Sequence, residues 1–334
     1  MRERWKKIRY RLEWSGCILL TKLVPLLPRM ACVRLAHLIG TLAFHFDHHG
    51  RAVALANVEA AFGNEFSPAQ REAMVRKSYR NFARTMLDLF WAPRLAKGGW
   101  QRWLSLENTG LLDTLRERKQ GSITMCVHCG NWEWASLAVG FHGTQAQIVS
   151  EDFKNARLNA IFAGLRSVSG HQMIEQHNSM LRLFRVARSG RMAGMLADLS
   201  LRPSEASVVI EVFGLKTCVT LLHAVLANKA GAVVVPMHGR PQPDGTCIAT
   251  LYPPLEFPPG ASEREIAQAC WNFFEPIIRE DPGQWLWAYK HWRYLPKDAA
   301  RPYPFYAFSS RDFDELLKRT GPADEAKRLT KPAT

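Results

Sequence analysis

The chain has 334 residues, with 44 Lys and Arg against 30 Asp and Glu, a formal charge of +14. At 47% apolar and 22% charged residues it has the make-up of a globular protein; wholesale disorder is excluded, and the length excludes a disulfide-stapled miniprotein. So large a basic surplus in an ordinary composition points to an acidic partner, nucleic acid or an anionic membrane.

The charge is uneven. Residues 1–100 hold 17 basic and 7 acidic side chains, while the remaining 234 hold 27 and 23. Arg2, Arg4, Lys6, Lys7, Arg9 and Arg11 crowd the start, with Trp5 and Tyr10 interleaved and Glu3 the one acidic group among them. An apolar run over 16–27, interrupted by Lys22 and Pro25, follows, and after Pro28 a second one extends over 30–46. Neither has the eighteen or so uninterrupted apolar residues of a membrane span. Two prolines and the lack of a small-x-small site argue against a cleavable signal. The expectation is an interfacial or shallowly inserted helical segment with a basic, aromatic flank. At about 1 kcal/mol per basic group near an anionic leaflet, the first eleven residues contribute roughly 5 kcal/mol at most. A solvated basic face beside ordinary core helices is the alternative.

Residues 1–95 read as helical. Ser67 is the N-cap of a helix that starts with Pro68, and Gln70 completes a capping box; Met74, Tyr79, Phe82, Met86, Leu87 and Phe90 follow at helical spacing. From Gly121 short apolar runs (122–127, 147–150, 192–196, 233–237 and 246–251) alternate with helical patterns over 155–168, 179–189, 219–229 and 262–279. That alternation predicts an α/β fold, a layered mixed sheet flanked by helices, behind a helical N-terminal membrane-associating segment. The division expected is 1–95, a helical membrane-associating region; 96–296, an α/β catalytic region; and 297–334, a polar tail with one short helix over 310–319 and disorder over 322–334.

Seven cysteines, an odd number without framework spacing, suit a reducing compartment. No internal repeat, Gly-Lys-Ser/Thr loop, Gly-x-Gly-x-x-Gly loop or Gly-x-Ser-x-Gly elbow occurs, which argues against a serine hydrolase on an α/β sheet. Beyond the first eleven residues there is no basic patch with interleaved aromatics and no nucleic-acid reading motif, so no nucleic-acid partner is expected.

The passage 122–135, Ser-Ile-Thr-Met-Cys-Val-His-Cys-Gly-Asn-Trp-Glu-Trp-Ala, carries the site candidate. An apolar strand ends at His128, Gly130 permits a sharp turn, Asn131 is a good N-cap, and Glu133 falls in the first turn of the next helix. A His at the carboxyl end of a strand, facing a helix N-terminus, sits where open α/β sheets place ligands. His-x-x-x-x-Glu spacing alone is weak: with 11 histidines and 30 acidic residues, chance gives about one such pair per chain. The strand–turn–helix setting strengthens it, since a first-turn carboxylate there reaches back to the imidazole. In that reading His128 is a general base, Glu133 fixes its tautomer, and the backbone amides around Gly130, Asn131 and Trp132 help to stabilise an oxyanion. Other readings are a helix-capping Glu beside a loop His, a fragment of a zinc site (Cys126, His128, Cys129) without its second half, and Cys129 as an acyl-accepting nucleophile. His45, Asp47, His48 and His49 also cluster, most simply as a polar loop. No metal is expected.

These residues also carry a resemblance. His128-Cys-Gly-Asn-Trp-Glu133 resembles the His-x-Gly-Asn-Trp-Glu block of the bacterial lipid A biosynthesis acyltransferases, the late lauroyl/myristoyl-type enzymes of the lysophospholipid acyltransferase superfamily. Asn57-Val-Glu-Ala-Ala-Phe62, Ala197-Asp198, Val212-Phe213-Gly214, Gly231-Ala-Val-Val-Val-Pro236 and Gln284-Trp-Leu-Trp287 with Lys290-His-Trp292 are similar to further family segments, in the same order. The resemblance implies an acyltransferase, without cofactor, that moves a fatty acyl chain from acyl carrier protein or coenzyme A to a hydroxyl of a lipid A-type glycolipid. It places the enzyme at the cytoplasmic face of the bacterial inner membrane, on anionic lipids. It implies His128 as base with Glu133 as orienting partner, Arg166 and Asp198 as candidate acceptor contacts, and a hydrophobic acyl groove for which Trp132, Trp134 and Phe213 are candidate walls, core packing being the simpler role for each of them. Another acceptor (a lysophospholipid, an ornithine lipid or a glycosylated phospholipid) is the alternative for the same chemistry, and a non-catalytic basic membrane-binding protein is the alternative of another class. Ser150-Glu151-Asp152 stands where the family has Tyr-Arg-Pro, Leu199 replaces a Gln, and Val212 a Phe; all three departures fall where donor or acceptor recognition is expected.

Overall fold

The computed structural model describes residues 2–175 and 179–319. Four helices come first: α1 (Arg2–Leu23), α2 (Arg29–Phe46), α3 (His48–Phe62) and α4 (Pro68–Ala96). Ser67 caps α4 with Gln70 in the expected reciprocal box. Asp47 caps α3 by accepting from the Gly50 amide at 2.8 Å, and Tyr79 Oη donates to its other oxygen at 2.9 Å. The His45–His49 cluster is thus built around a helix cap.

After the four helices the chain runs β1 (Leu104–Glu107), α5 (Gly110–Glu117), β2 (Ser122–Cys126), α6 (Trp132–Phe141), β3 (Ala146–Ser150), α7 (Arg157–Arg166), β4 (Gln172–Glu175), α8 (Ser179–Arg188) and β5 (Met192–Leu196). It continues through the hairpin β6 (Ser207–Val212) and β7 (Leu215–Thr220), then α9 (Leu222–Ala230), β8 (Val233–Pro241), β9 (Cys247–Leu251) and α10 (Glu263–Glu280). A two-residue pairing of β10 (Tyr294–Leu295) with β11 (Phe308–Ser309) leads to α11 (Arg311–Arg319). The disorder expected over 322–334 lies outside the described residues.

Seven strands form one mixed sheet in the order β1-β9-β8-β2-β5-β3-β4. β8, β2, β5, β3 and β4 are mutually parallel, and β9 turns back antiparallel to β8. The expected mixed α/β sheet is therefore present. Alternation along the strands sends side chains to two cores. Ile123, Met125, Ala193 and Val234 face Leu222, Leu226, Ile266 and Cys270 of α9 and α10. Cys126, Met192, Val235 and Met237 face Trp134, Ala138 and Leu89 of α6 and α4.

One expected element is corrected. The helical pattern over 219–229 starts later, because Val219 and Thr220 finish the β6–β7 hairpin, Val208 opposite Val219 and Ile210 opposite Thr217. Its turn is Phe213-Gly214, both at positive φ (51° and 74°), which suits the twist of a two-residue hairpin loop. Phe213 is held in this unusual conformation by its contacts. Its ring packs against Phe62, Trp271, Trp285 and Trp287, its amide donates to Glu275 at 2.9 Å, and its carbonyl accepts from Arg301 at 2.9 Å.

Among the described residues no helix is long and apolar enough to cross a membrane. The N-terminal helices nevertheless leave apolar stripes uncovered. Trp5, Leu12, Leu19, Leu23 and Leu26 on and after α1, and Leu35, Leu38, Ile39, Leu42 and Phe46 on α2, are exposed, up to 75% at Phe46. α1 is fixed to the body just ahead of α7: Asn155 Nδ2 donates to the Tyr10 carbonyl at 2.9 Å and to Glu13 at 3.0 Å.

Candidate active site

β2 is the point where the chain order of the sheet reverses, with β5 on one side and β8 on the other. His128 leaves its carboxyl end, where ligands of open α/β sheets bind. The chain then turns through Gly130 (φ 67°) into α6, which Asn131 caps by accepting from the Trp134 amide at 3.0 Å. Glycine is required at 130, since a Cβ there would overlap the Gly239 carbonyl oxygen.

The partner of His128 is Asp198, not Glu133. Asp198 follows β5, hydrogen-bonded neighbour of β2, and its Oδ1 lies 2.7 Å from His128 Nδ1. Oδ2 accepts from the His128 backbone amide at 2.9 Å and from Trp285 Nε1 at 2.8 Å. Burial raises the Asp198 carboxyl, but the imidazole and the indole N–H outweigh it and bring it down to about 2. The ionised carboxylate only accepts, so Nδ1 carries a proton, and in the neutral ring this tautomer leaves the lone pair on Nε2. Among the described residues Nε2 has no partner, and the side chain keeps 12% exposure while that of Asp198 has none. Behind the pair, His291 stacks on Trp285 at 4.0 Å, and burial pushes its imidazole down to about 4, keeping it neutral.

Glu133 is turned away to Arg166. Both its oxygens accept from Arg166 Nε at 3.0 and 3.1 Å, and Oε1 also from one terminal nitrogen at 2.6 Å. Arg166 ends α7, so this pair, with Glu133 buried and Arg166 partly buried, ties the first turn of α6 to the last turn of α7. The expectation that Glu133 reaches back to the imidazole is corrected by this geometry; Asp198, expected as an acceptor contact, is 5% exposed and receives three protein donors. Arg166 stands at the site already engaged by Glu133.

Gly130 and Asn131 shape the turn, but their amides are spent, on the Gln284 carbonyl at 3.1 Å and the Gly239 carbonyl at 2.8 Å. The amides of Trp132 and Glu133, at the N-terminus of α6, have no partner among the described residues and are the donors left for an anion. Burial and nearby Asp198 push the Cys129 thiol well above its ordinary range, unlike a nucleophile. Trp132, Trp134 and Phe213 are buried core residues rather than walls of an open groove; Trp132 packs edge-on to the His128 ring at 5.0 Å.

Sequence reasoning missed Trp285 as a site residue and named Asp198 without its partner. The strand order that brings β5 beside β2 is what pairs them.

Residues 2–294 match the family model of the bacterial lipid A biosynthesis acyltransferases. The chain is 23% identical over 301 residues to a lipid A biosynthesis lauroyltransferase of Escherichia coli (strain K12), covering 88% of this chain and 95% of the relative. It is also 23% identical over 223 residues to a phosphatidylinositol mannoside acyltransferase of Mycolicibacterium smegmatis, covering 66% and 72%. With a family model spanning nearly its whole length, the chain belongs to the bacterial lipid A biosynthesis acyltransferase family and is an acyltransferase.

Proposed function

We propose that the protein transfers a fatty acyl chain from a thioester carrier to a hydroxyl of a lipid A-type glycolipid, with His128 as general base held by Asp198. The observation that carries this reading is the unpartnered Nε2 on an imidazole whose Nδ1 is locked by a buried carboxylate. Nε2 takes the acceptor hydroxyl proton as its oxygen attacks the thioester carbonyl. The oxyanion that forms faces the free amides of Trp132 and Glu133, and Asp198 stabilises the imidazolium. Collapse expels the thiolate, which takes the proton back from His128. A thioester is activated enough that no enzyme nucleophile is needed, in keeping with the elevated thiol of Cys129.

The matching relatives are named for a lipid A lauroyltransferase and a phosphatidylinositol mannoside acyltransferase, which supports a glycolipid acceptor. Arg166, held by Glu133, lies beside the site as an acceptor contact, and acyl carrier protein or coenzyme A supplies the chain. The uncovered stripes of α1 and α2, flanked by Arg4, Lys6, Lys7, Arg9 and Arg11, support docking on an anionic leaflet at the cytoplasmic face of the inner membrane.

The test is mass spectrometry of lipid from a strain lacking its own copy, complemented by the wild-type chain or by His128→Ala. The wild type restores one acyl chain that the variant does not; restoration by both refutes the reading.

A further inference from the structure

Helix α4 presents Asn81, Thr85 and Asp88 to the turn behind His128, a spacing that places all three on one face. Asn81 Nδ2 and Thr85 Oγ1 donate to the Gly130 carbonyl at 2.9 and 3.1 Å. Asp88 is fully buried, and its Oδ2 accepts from Asn131 Nδ2 at 2.7 Å. Its two oxygens also take the guanidinium of Arg29 end-on, at 2.5 and 3.0 Å. Arg29 is the first residue of α2. Its Nε donates to the Gly245 carbonyl at 2.6 Å, and its guanidinium lies 4.4 Å over the ring of Trp134. Trp134 in turn donates its indole N–H to the Asp88 carbonyl at 2.8 Å. A continuous polar chain therefore runs from the N-terminal helical layer to the cap residue of α6.

A buried ion pair is weak evidence for stability, because an apolar pair of like volume often does as well. What the charged pair adds here is direction. The Asn131 amide group is fixed at both ends, its Nδ2 on Asp88 and its Oδ1 on the Trp134 amide. Asn131 stands between His128 and the two free amides of α6, so its orientation sets the distance from base to oxyanion donors.

We propose that Arg29 and Asp88 are positioning residues for acyl transfer: they hold Asn131, and through it the His128 turn, so that the N-terminal helical layer completes the active site as well as meeting the membrane. The inference rests on the acyl-transfer reading of the same site.

The test uses the purified full-length chain on vesicles of zwitterionic and anionic phospholipid, with radiolabelled lauroyl–acyl carrier protein and a lipid A precursor lacking a secondary acyl chain. The double variant Arg29→Met with Asp88→Leu removes both charges of the pair and leaves buried Arg84, whose Nε lies 3.6 Å from Asp88, without its carboxylate. It is expected to bind vesicles as the wild type does and to melt lower, since Arg84 loses its counter-charge, with kcat down at least tenfold and KM for the donor within twofold. Arg29→Lys keeps a charge on Asp88 and is expected to retain most of kcat. Should the double variant not fold, Asn131→Ser keeps a helix cap but gives up the Asp88 contact, and is expected to lose kcat alike at near-normal melting temperature. Wild-type kcat in a folded double variant or in Asn131→Ser overturns the proposal. So does a loss that tracks melting temperature across the set. His128→Ala in the same assay separates the two readings. Turnover in that variant removes the acyl-transfer mechanism; its inactivity beside a fully active double variant removes only the positioning role.

Discussion

Asp198 Oδ1 sits 2.7 Å from His128 Nδ1 although the two residues are 70 positions apart, and the same carboxylate also accepts the His128 backbone amide and the Trp285 indole. Three donors on one buried carboxylate fix both the tautomer and the direction of the ring. Replacing it removes the orienting charge but not the binding surface. Asp198→Asn is expected to lower kcat by about 10³-fold or more, with KM little changed, as orienting carboxylates of His bases do. Steady-state kinetics with acyl–acyl carrier protein check this.

The same carboxylate gives a pH signature. Its folded value, about 2, lies below the ordinary 3.8, so it contributes stability that is fully present above about pH 4 and is lost as the pH falls toward 2. The contribution is about 2 kcal/mol. Acid unfolding followed by circular dichroism is expected to show this loss in the wild type and a smaller one in Asp198→Asn.

Glu133 is predicted to behave differently. Glu133→Gln leaves Arg166 partly buried without its counter-charge and costs about 2–3 kcal/mol of stability. Since Glu133 does not touch the imidazole, its kcat is expected to fall at least tenfold less than that of Asp198→Asn, with the larger change in KM for the acceptor. Thermal melting and kinetics on the two variants distinguish them; equal losses of kcat would assign the orienting role to Glu133 after all.

Cys129 neighbours the base but is sealed and protonated. Cys129→Ala is expected to keep kcat within about threefold, the residual loss coming from packing. A dead but folded variant in the transfer assay would argue for a thiol intermediate.

The exposed stripe of α2 predicts membrane binding without a span. Leu38→Asp with Leu42→Asp places two charges in that face and is expected to weaken partition to anionic vesicles about tenfold or more while leaving the fold intact. Co-sedimentation checks it, and unaltered partition would transfer the membrane contact to another surface.

Much of the architecture was legible in the sequence because it rests on local signals. The Ser67–Gln70 capping box, the strand-turn-helix at 122–133 and the alternation of buried runs with helical patterns all follow from nearest neighbours. The hairpin did not stand out, since Phe213 is no ordinary turn residue and takes its positive φ only against a wall of tryptophans. The site was half legible. His128 could be read from its place at the end of a strand. Its partner could not, because Glu133 offered a local carboxylate and only the insertion of β5 between β2 and β3 brings Asp198 alongside. Asp88 carried a faint signal, an acid in the apolar run Met86–Trp91 with Arg84 one turn before it, but its other partners Arg29 and Asn131 lie 59 and 43 positions away.

The most direct test of the account is a single-turnover assay with labelled acyl–acyl carrier protein, a lipid A precursor and either wild-type or His128→Ala protein in vesicles. The account predicts that the wild type moves label to the glycolipid, with none retained on the protein, and that His128→Ala moves none although it is folded and vesicle-bound. Transfer by His128→Ala at the wild-type rate would contradict it.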